Sequence, residues 1–212
     1  MPKKNIMNFM GKPMISYTIN AALKSEIFER VFVSTDDKEI MNIGRSFDAE
    51  VPFLRDTKYA GDTVPGSLAI YDFMTKLGHK PDYLCIAYAT APLLNYKNLI
   101  KSFHELVETQ HKALVSVTYF GYPPQRGMLI SDNIISFREK EYINLRSQEL
   151  EKVYHDAAQF YWIKFDEFMK NPTLIPDNSR AFIIPPHETQ DIDNYEDLLL
   201  AEIKYKKLYD IK

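Results

Sequence analysis

The sequence predicts an α/β fold in which a parallel sheet carries helices on both faces. Short, β-rich apolar runs alternate along the chain with stretches of helical periodicity, which is the order of βαβ units. Polar residues capable of chemistry cluster just after the predicted strands, where an open α/β sheet binds its ligands.

The elements follow in order. Ile15, Ile19, Ala22 and Leu23 recur at helical spacing and predict a helix over 13–25. "RVFVST" (30–35) reads as a strand, and Asp36-Asp37 after it reads as an N-cap for a helix over 38–47. A helix over 65–78 leads to the strand "YLCIAY" (83–88). Leu99, Phe103, Leu106 and Val107 mark a helix over 95–110, and "ALVSVTYF" (113–120) is the next strand. The alternation then breaks over 121–158. Pro123-Pro124, Gly127 and Asp132-Asn133 are turn signals, so this segment is expected to leave the sheet as an inserted arm. "QFYWI" (159–163) and "AFIIP" (181–185) supply the last strands. The final helix, over 194–209, has Leu198, Ala201, Tyr205 and Leu208 on one face. We read residues 1–212 as one domain.

Composition narrows the function classes. The 212 residues are 45% apolar and 26% charged, ordinary for a globular chain, and the net charge of −3 argues against a nucleic-acid partner held by phosphate neutralisation. Cys85, the one cysteine, sits in an apolar run and excludes an internal disulfide, which fits a reducing compartment. No run approaches the ~20 apolar residues of a membrane span, so the expectation is a cytoplasmic protein without a membrane partner. The five histidines show no metal-ligand spacing, and no Ser/His or Cys/His constellation is present.

Three polar clusters follow strands: "VSTDD" (33–37), "YATAP" (88–92) and "HETQDID" (187–193). In the last, Asp191 and Asp193 flank one isoleucine. Residues i and i+2 of an extended segment point the same way, so both carboxylates could face one hard cation such as Mg²⁺, which takes one or two carboxylates and leaves other positions to water and phosphate. Asp193-x-x-Glu196 reads equally as a capping box, and on spacing alone capping is the stronger reading. Arg55, in a loop with Asp62-Thr63 before the helix at 65, suits an anion contact. The arm carries Arg126 and Arg146, and its return "YHDAAQFYW" carries His155, Asp156 and Gln159 among aromatics. That mixture suits a carboxylated, hydroxylated ligand such as an acidic sugar.

In chain order, "GKPMISYTINAALKS", "VFVSTDD", "AEVPFLR", "YATAPLL", "NLRSQELEKVYHDAAQFYW" and "TQDIDNYEDLLLAE" resemble the CMP-nonulosonate synthetases, or acylneuraminate cytidylyltransferases. The nearest subgroup is the pseudaminic acid cytidylyltransferases. The resemblance implies a Rossmann-like nucleotide-diphospho-sugar transferase sheet, an arm exchanged across a homodimer, and transfer of CMP from CTP to an acidic nine-carbon sugar with release of pyrophosphate. N-acetylneuraminate and legionaminate are the alternative sugars within the class. It implies catalytic, Mg²⁺-binding roles for Asp191 and Asp193. It places Lys4, Asn5, Arg55, Asp62, Thr63 and Thr90 around the nucleotide, and Arg126, Arg146, Asp156, Gln159 and Tyr161 around the sugar.

The resemblance also implies a first strand and a phosphate-cradling Gly/Ser/Lys/Arg-rich loop immediately before Lys4 and Asn5, of which only those two residues are matched. That strand would lie between 30–35 and 83–88. Without it, those two segments are expected to keep unpaired backbone groups, and CTP is expected to bind poorly. A remnant that binds sugar or dimerises without turnover is the rival expectation.

Overall fold

The computed structural model of the chain describes residues 1, 3–61 and 63–211. A small hairpin of β1 (Asn8–Phe9) and β2 (Lys12–Pro13) precedes α1 (Ile15–Ser25) and α2 (Lys38–Ser46). There follow α3 (Gly66–Leu77), β3 (Tyr83–Ala87), α4 (Tyr96–Val107), β4 (Ala113–Tyr119), β5 (Met128–Ser131) and β6 (Ile134–Phe137). The chain closes with β7 (Tyr154–Lys164), α5 (Phe165–Lys170), β8 (Ser179–Ile183) and α6 (Tyr195–Leu208).

The main sheet has the order β3-β7-β4-β8. Its mixed character differs from the all-parallel expectation: β4 and β8 run parallel, whereas β7 is antiparallel to both β3 and β4. β7 is also longer than expected, because residues 154–158, read from sequence as the end of the arm, continue the ladder opposite Val117 to Tyr119. This direction has a functional consequence. The first half of β7 lies at the carboxyl edge of its neighbours, beside the polar loops.

Paired strand residues share a face, so Cys85, Trp162 and Leu114 line up on one side and Leu84, Ile163 and Ala113 on the other. The first side packs under α1 and α4 through Ala21, Leu99 and Leu106. The second packs against Ile70 of α3 and Phe168 of α5. Helices therefore cover both faces, as the sequence predicted. Helix starts follow their caps: Asp37 Oδ1 accepts from Glu39 N–H (2.6 Å), and Asn95 Oδ1 from Lys97 N–H (2.9 Å). The Asp132-Asn133 turn joins β5 to β6 with both residues at positive φ (51° and 64°), as a two-residue hairpin requires.

Residues 30–35 do not join the sheet, which corrects the strand expected there. They make one isolated parallel bridge, Phe32 to Glu50. A strand is defined by its ladder, and here one side of the ladder has no partner. Val33 N–H donates to Glu50 O (3.0 Å) and Glu50 N–H to Val31 O (2.8 Å), so Val31 and Val33 face Glu50 while Phe32 and Ser34 face the other way. β3 leaves a matching free edge. Tyr88 N–H donates to Gln159 O and Phe165 N–H to Asp82 O, both 3.0 Å, so even-numbered residues address β7 and Tyr83, Cys85 and Ala87 face outward. Between these two rows lies a cavity of about 590 Å³. Ser34 Oγ is buried with no hydrogen-bond partner among the described residues. The burial around Cys85 raises its thiol pKa, in keeping with a packing role.

Candidate active site

The segment between β8 and α6 presents the paired carboxylates. Ile192 is fully buried against Phe9, Met14 and Ala201, while Asp191 and Asp193 on either side of it are exposed. The alternation expected of an extended segment is present, and it turns both carboxylates to one side. Helix capping does not consume them. Asn194 is the N-cap of α6, accepting from Glu196 N–H (2.8 Å) and Asp197 N–H (3.0 Å). Asp197 Oδ2 returns the box by accepting from Asn194 N–H (3.1 Å) and Asp193 N–H (3.0 Å). The cap is thus one residue later than Asp193-x-x-Glu196 suggested, and the Asp193 carboxylate is spared.

A cation already addresses the pair. Lys4 Nζ lies 3.0 Å from Asp193 Oδ1 and 3.2 Å from the carbonyl of Ile192. Asp191 is exposed as a residue but its carboxyl is partly desolvated by its surroundings, and that desolvation chiefly, then the neighbouring charge of Asp193, raises its pKa, while the charge of Lys4 opposes the rise. Two exposed carboxylates whose mutual repulsion Lys4 offsets only in part form a fitting donor set for a divalent cation. No third His, Cys, Asp or Glu completes a protein cage among the described residues.

β7 brings the sugar-side candidates to the same edge. Ala158, at φ 51°, marks the irregularity where the register slips between Val115 and Val117. There Asp156 Oδ1 accepts from Ala158 N–H (2.8 Å), and Asp156 Oδ2 accepts from the Tyr161 hydroxyl. The Tyr161 ring stands edge-on to Tyr88 at 5.6 Å. Burial first, then the bond to Asp156, holds Tyr161 in its phenol form. Asp156 is itself close enough to raise the Asp191 pKa slightly, so β7 and the 191–193 segment share one electrostatic site. Gln159 is 2% exposed and donates from Nε2 to Glu188 O (2.6 Å), tying β7 to the loop that carries the aspartates.

Of the nucleotide-side candidates, Asn5 and Arg55 line the cavity beside β3. Arg55 Nη2 pairs with Asp36 Oδ1 (3.1 Å), its N–H donates to Thr35 O (2.7 Å), and its buried Nε has no partner among the described residues. Asn5, Asp36, Arg55 and Tyr88 line the mouth of the cavity described above. Thr18 Oγ1 of α1 donates to Tyr88 O (2.9 Å), fixing the turn that buries Thr90. Thr63 is exposed at the start of the turn before α3. Asp62 lies outside the described residues.

The arm stands apart in these contacts. Arg126 Nη1 donates to Ser147 Oγ (3.5 Å) while its buried Nε has no partner among the described residues, and the main-chain N–H of Arg146 donates to Glu149 Oε2 (2.8 Å). Sequence reasoning missed the Asn194–Asp197 box, the pairing of Asp36 with Arg55, and the lysine of α6 that grips residues 189–190. The box is a local pattern shifted by one residue from Asp193-x-x-Glu196, whereas the other two contacts join residues 19 and 15 positions apart, which periodicity does not mark.

Comparison with known proteins identifies the family. A family model described as cytidylyltransferase matches residues 1–200. The pseudaminic acid cytidylyltransferase of Campylobacter jejuni is 37% identical over 210 residues, covering 97% of this chain and 90% of that protein. A Helicobacter pylori protein named as pseudaminic acid cytidylyltransferase and UDP-2,4-diacetamido-2,4,6-trideoxy-beta-L-altropyranose hydrolase is 32% identical, covering 94% of this chain and 39% of its own length. Among solved structures, CMP:2-keto-3-deoxy-manno-octonic acid synthetase complexed with CTP shares the fold with a TM-score of 0.69 at 15% identity, over 99% of this chain and 93% of that one. With a family model spanning residues 1–200 and relatives above 30% identity over nearly the whole chain, the protein belongs to the cytidylyltransferase family.

Proposed function

We propose that this cytidylyltransferase transfers CMP from CTP to a nonulosonic acid, with pseudaminic acid as the sugar and Mg²⁺ as the metal. The carrying observation is the Asp191/Asp193 pair: two carboxylates on one side of a clamped segment, free of capping duty, beside the Lys4 ammonium. The names of the most similar relatives support the sugar.

In the reaction, the anomeric hydroxyl oxygen attacks the α-phosphorus, the bond to the pyrophosphate oxygen breaks, and the hydroxyl proton passes to solvent. A bound divalent ion would supply charge neutralisation on the triphosphate. The chain's own residues do the rest. Asp191 and Asp193 would hold the ion, and Lys4, which pairs with Asp193 Oδ1, is the ammonium placed to meet a phosphate beside them. Arg55, oriented by Asp36, offers its unsatisfied Nε to the nucleotide beside Asn5, Thr63 and Thr90. Tyr161 aims Asp156 at the sugar hydroxyls, while Gln159 sets the spacing between β7 and the 188 loop. Asp62 is assigned to the nucleotide on resemblance alone.

Arg126 and Arg146 reach an acidic sugar if the arm of one copy closes over another. The arm supports this reading, because its hairpin exposes Met128, Leu129, Ile130, Ile134 and Ile135 together, with Ile130 at 72% and Ile134 at 71%. We place the enzyme in the cytoplasm as a homodimer; no helix among the described residues is long and apolar enough to cross a membrane. The test is mass spectrometry of products formed from CTP with pseudaminate, N-acetylneuraminate and legionaminate in turn. A CMP adduct of pseudaminate alone is expected. A preferred adduct of another sugar would overturn the sugar, and no adduct at all would overturn the activity.

A further inference from the structure

The segment that carries the two aspartates is gripped from both sides, and one grip comes from a residue with no assigned role. On the β7 side, Thr189 Oγ1 donates to Ala157 O (2.9 Å) and Gln159 Nε2 to Glu188 O (2.6 Å). On the α6 side, Lys204 Nζ donates to Thr189 O (2.7 Å) and to Gln190 Oε1 (2.8 Å). Gln190 Nε2 passes the contact on, donating to the main-chain oxygen of Asp191 (3.0 Å). Lys204 therefore fixes the backbone at 189 directly and at 191 through one amide.

This lysine has an unusual setting. It is half-buried, it has no carboxylate partner among the described residues, and burial lowers its pKa. A desolvated ammonium spent on a carbonyl and an amide is an expensive way to stitch a loop that Thr189 and Gln159 already hold. The contact does something those two do not: it sets the backbone on the aspartate side of Thr189. The cation beside the carboxylate pair is Lys4, and Lys204 reaches Asp191 through its main chain by way of Gln190.

We propose that Lys204 is a positioning residue that holds the main chain of Asp191 so that the 191 and 193 carboxylates converge on one cation. This rests on the metal reading of that pair. Groups that orient metal ligands typically change metal affinity 10- to 100-fold when removed. The experiment compares wild type, Lys204→Met, which keeps most of the stem, and Lys204→Arg. Mn²⁺ affinity is measured by paramagnetic resonance without nucleotide, and amide hydrogen exchange is followed at Asp191 and Ile192. Lys204→Met should bind Mn²⁺ about tenfold more weakly and exchange both amides faster. Its near-UV spectrum should stay native, its turnover should recover at high metal, and Lys204→Arg should restore affinity. Wild-type Mn²⁺ affinity and unchanged exchange in Lys204→Met would overturn the proposal, as would a loss of thermal stability with affinity intact. Absence of Mn²⁺ binding by the wild type would instead overturn the metal reading, and the exchange data would then judge the clamp by itself.

Discussion

The ammonium of Lys4 lies 3.0 Å from Asp193 Oδ1, across 189 positions of sequence, and also bonds the carbonyl of the intervening Ile192. One end of the chain thereby supplies a positive charge to the carboxylate pair at the other. Removing Lys4 should expose how strained that pair is. The Asp191 pKa is already raised, by burial and then by Asp193, and Lys4 opposes the rise. Lys4→Met should therefore raise it further. A carboxyl with a folded pKa above its unfolded value favours the protonated native state, so the associated destabilisation develops as pH rises from the unfolded to the folded value and is absent below both. Carbon-detected NMR titration of Asp191 in both proteins checks the sign. A fall on removing Lys4 would contradict the contact.

Asp191→Ala and Asp193→Ala should each abolish useful turnover while leaving the fold. Loss of metal-based charge stabilisation worth several kcal/mol corresponds to roughly 10³-fold in kcat. The melting temperature should move by only a few degrees, because both side chains are exposed and Asn194 and Asp197 retain the cap. Initial rates at saturating CTP, beside calorimetric melting, separate the two effects. Near-normal rates in both variants at ordinary Mg²⁺ would return the pair to a structural role.

The exposed hairpin predicts a dimer at micromolar concentration by sedimentation, and Ile130→Asp or Ile134→Asp should shift it to monomer. Both positions are solvent-exposed here, so the monomer should stay folded. A wild-type monomer at that concentration would remove the arm from the interface.

The cavity beside β3 gives a fourth prediction. Two rows of outward-facing backbone groups, from Phe32 and Ser34 on one wall and Tyr83, Cys85 and Ala87 on the other, line this cavity, and an extended segment between them would pair with both. Five residues at about 3.3 Å each would span β3. Placing an apolar strand followed by a Gly-Ser-Lys-Arg loop ahead of Lys4 should protect the amides of 83, 85 and 87 from exchange. It should also raise the melting temperature by several degrees and tighten CTP binding. Equal exchange, stability and affinity in the two proteins would show that the triphosphate is held elsewhere.

Most of the architecture was legible because hydrophobic period reports the local element directly. Leu99 with Leu106, and Ile15 with Ile19, are core residues of the helices their spacing predicted. What the period cannot report is a partner. "RVFVST" has the composition of a strand and forms a single bridge, because pairing depends on chain far away. The direction of β7 was equally hidden, since an antiparallel strand at the centre of a mixed sheet has the same apolar pattern as a parallel one. At the site, the alternation around Ile192 correctly forecast the shared orientation of Asp191 and Asp193. The cap was misread by one residue because Asn194 and Asp193 are both good caps, and only backbone geometry chooses between them. Thr189, Gln190 and Lys204 gave no sequence signal, because their contacts are to main-chain oxygens that any residue could supply.

Metal-dependent cytidylyl transfer to a nonulosonic acid releases one pyrophosphate per turnover, so pyrophosphate is the quantity to follow. Purified protein is mixed with CTP, Mg²⁺ and pseudaminate, and pyrophosphate and CMP-sugar are quantified together. The expected result is one pyrophosphate per CMP-sugar, dependence on the sugar, arrest by a chelator, and recovery on adding Mg²⁺ back. Pyrophosphate formed without sugar, or CMP-sugar formed at an unchanged rate in chelator, would contradict it.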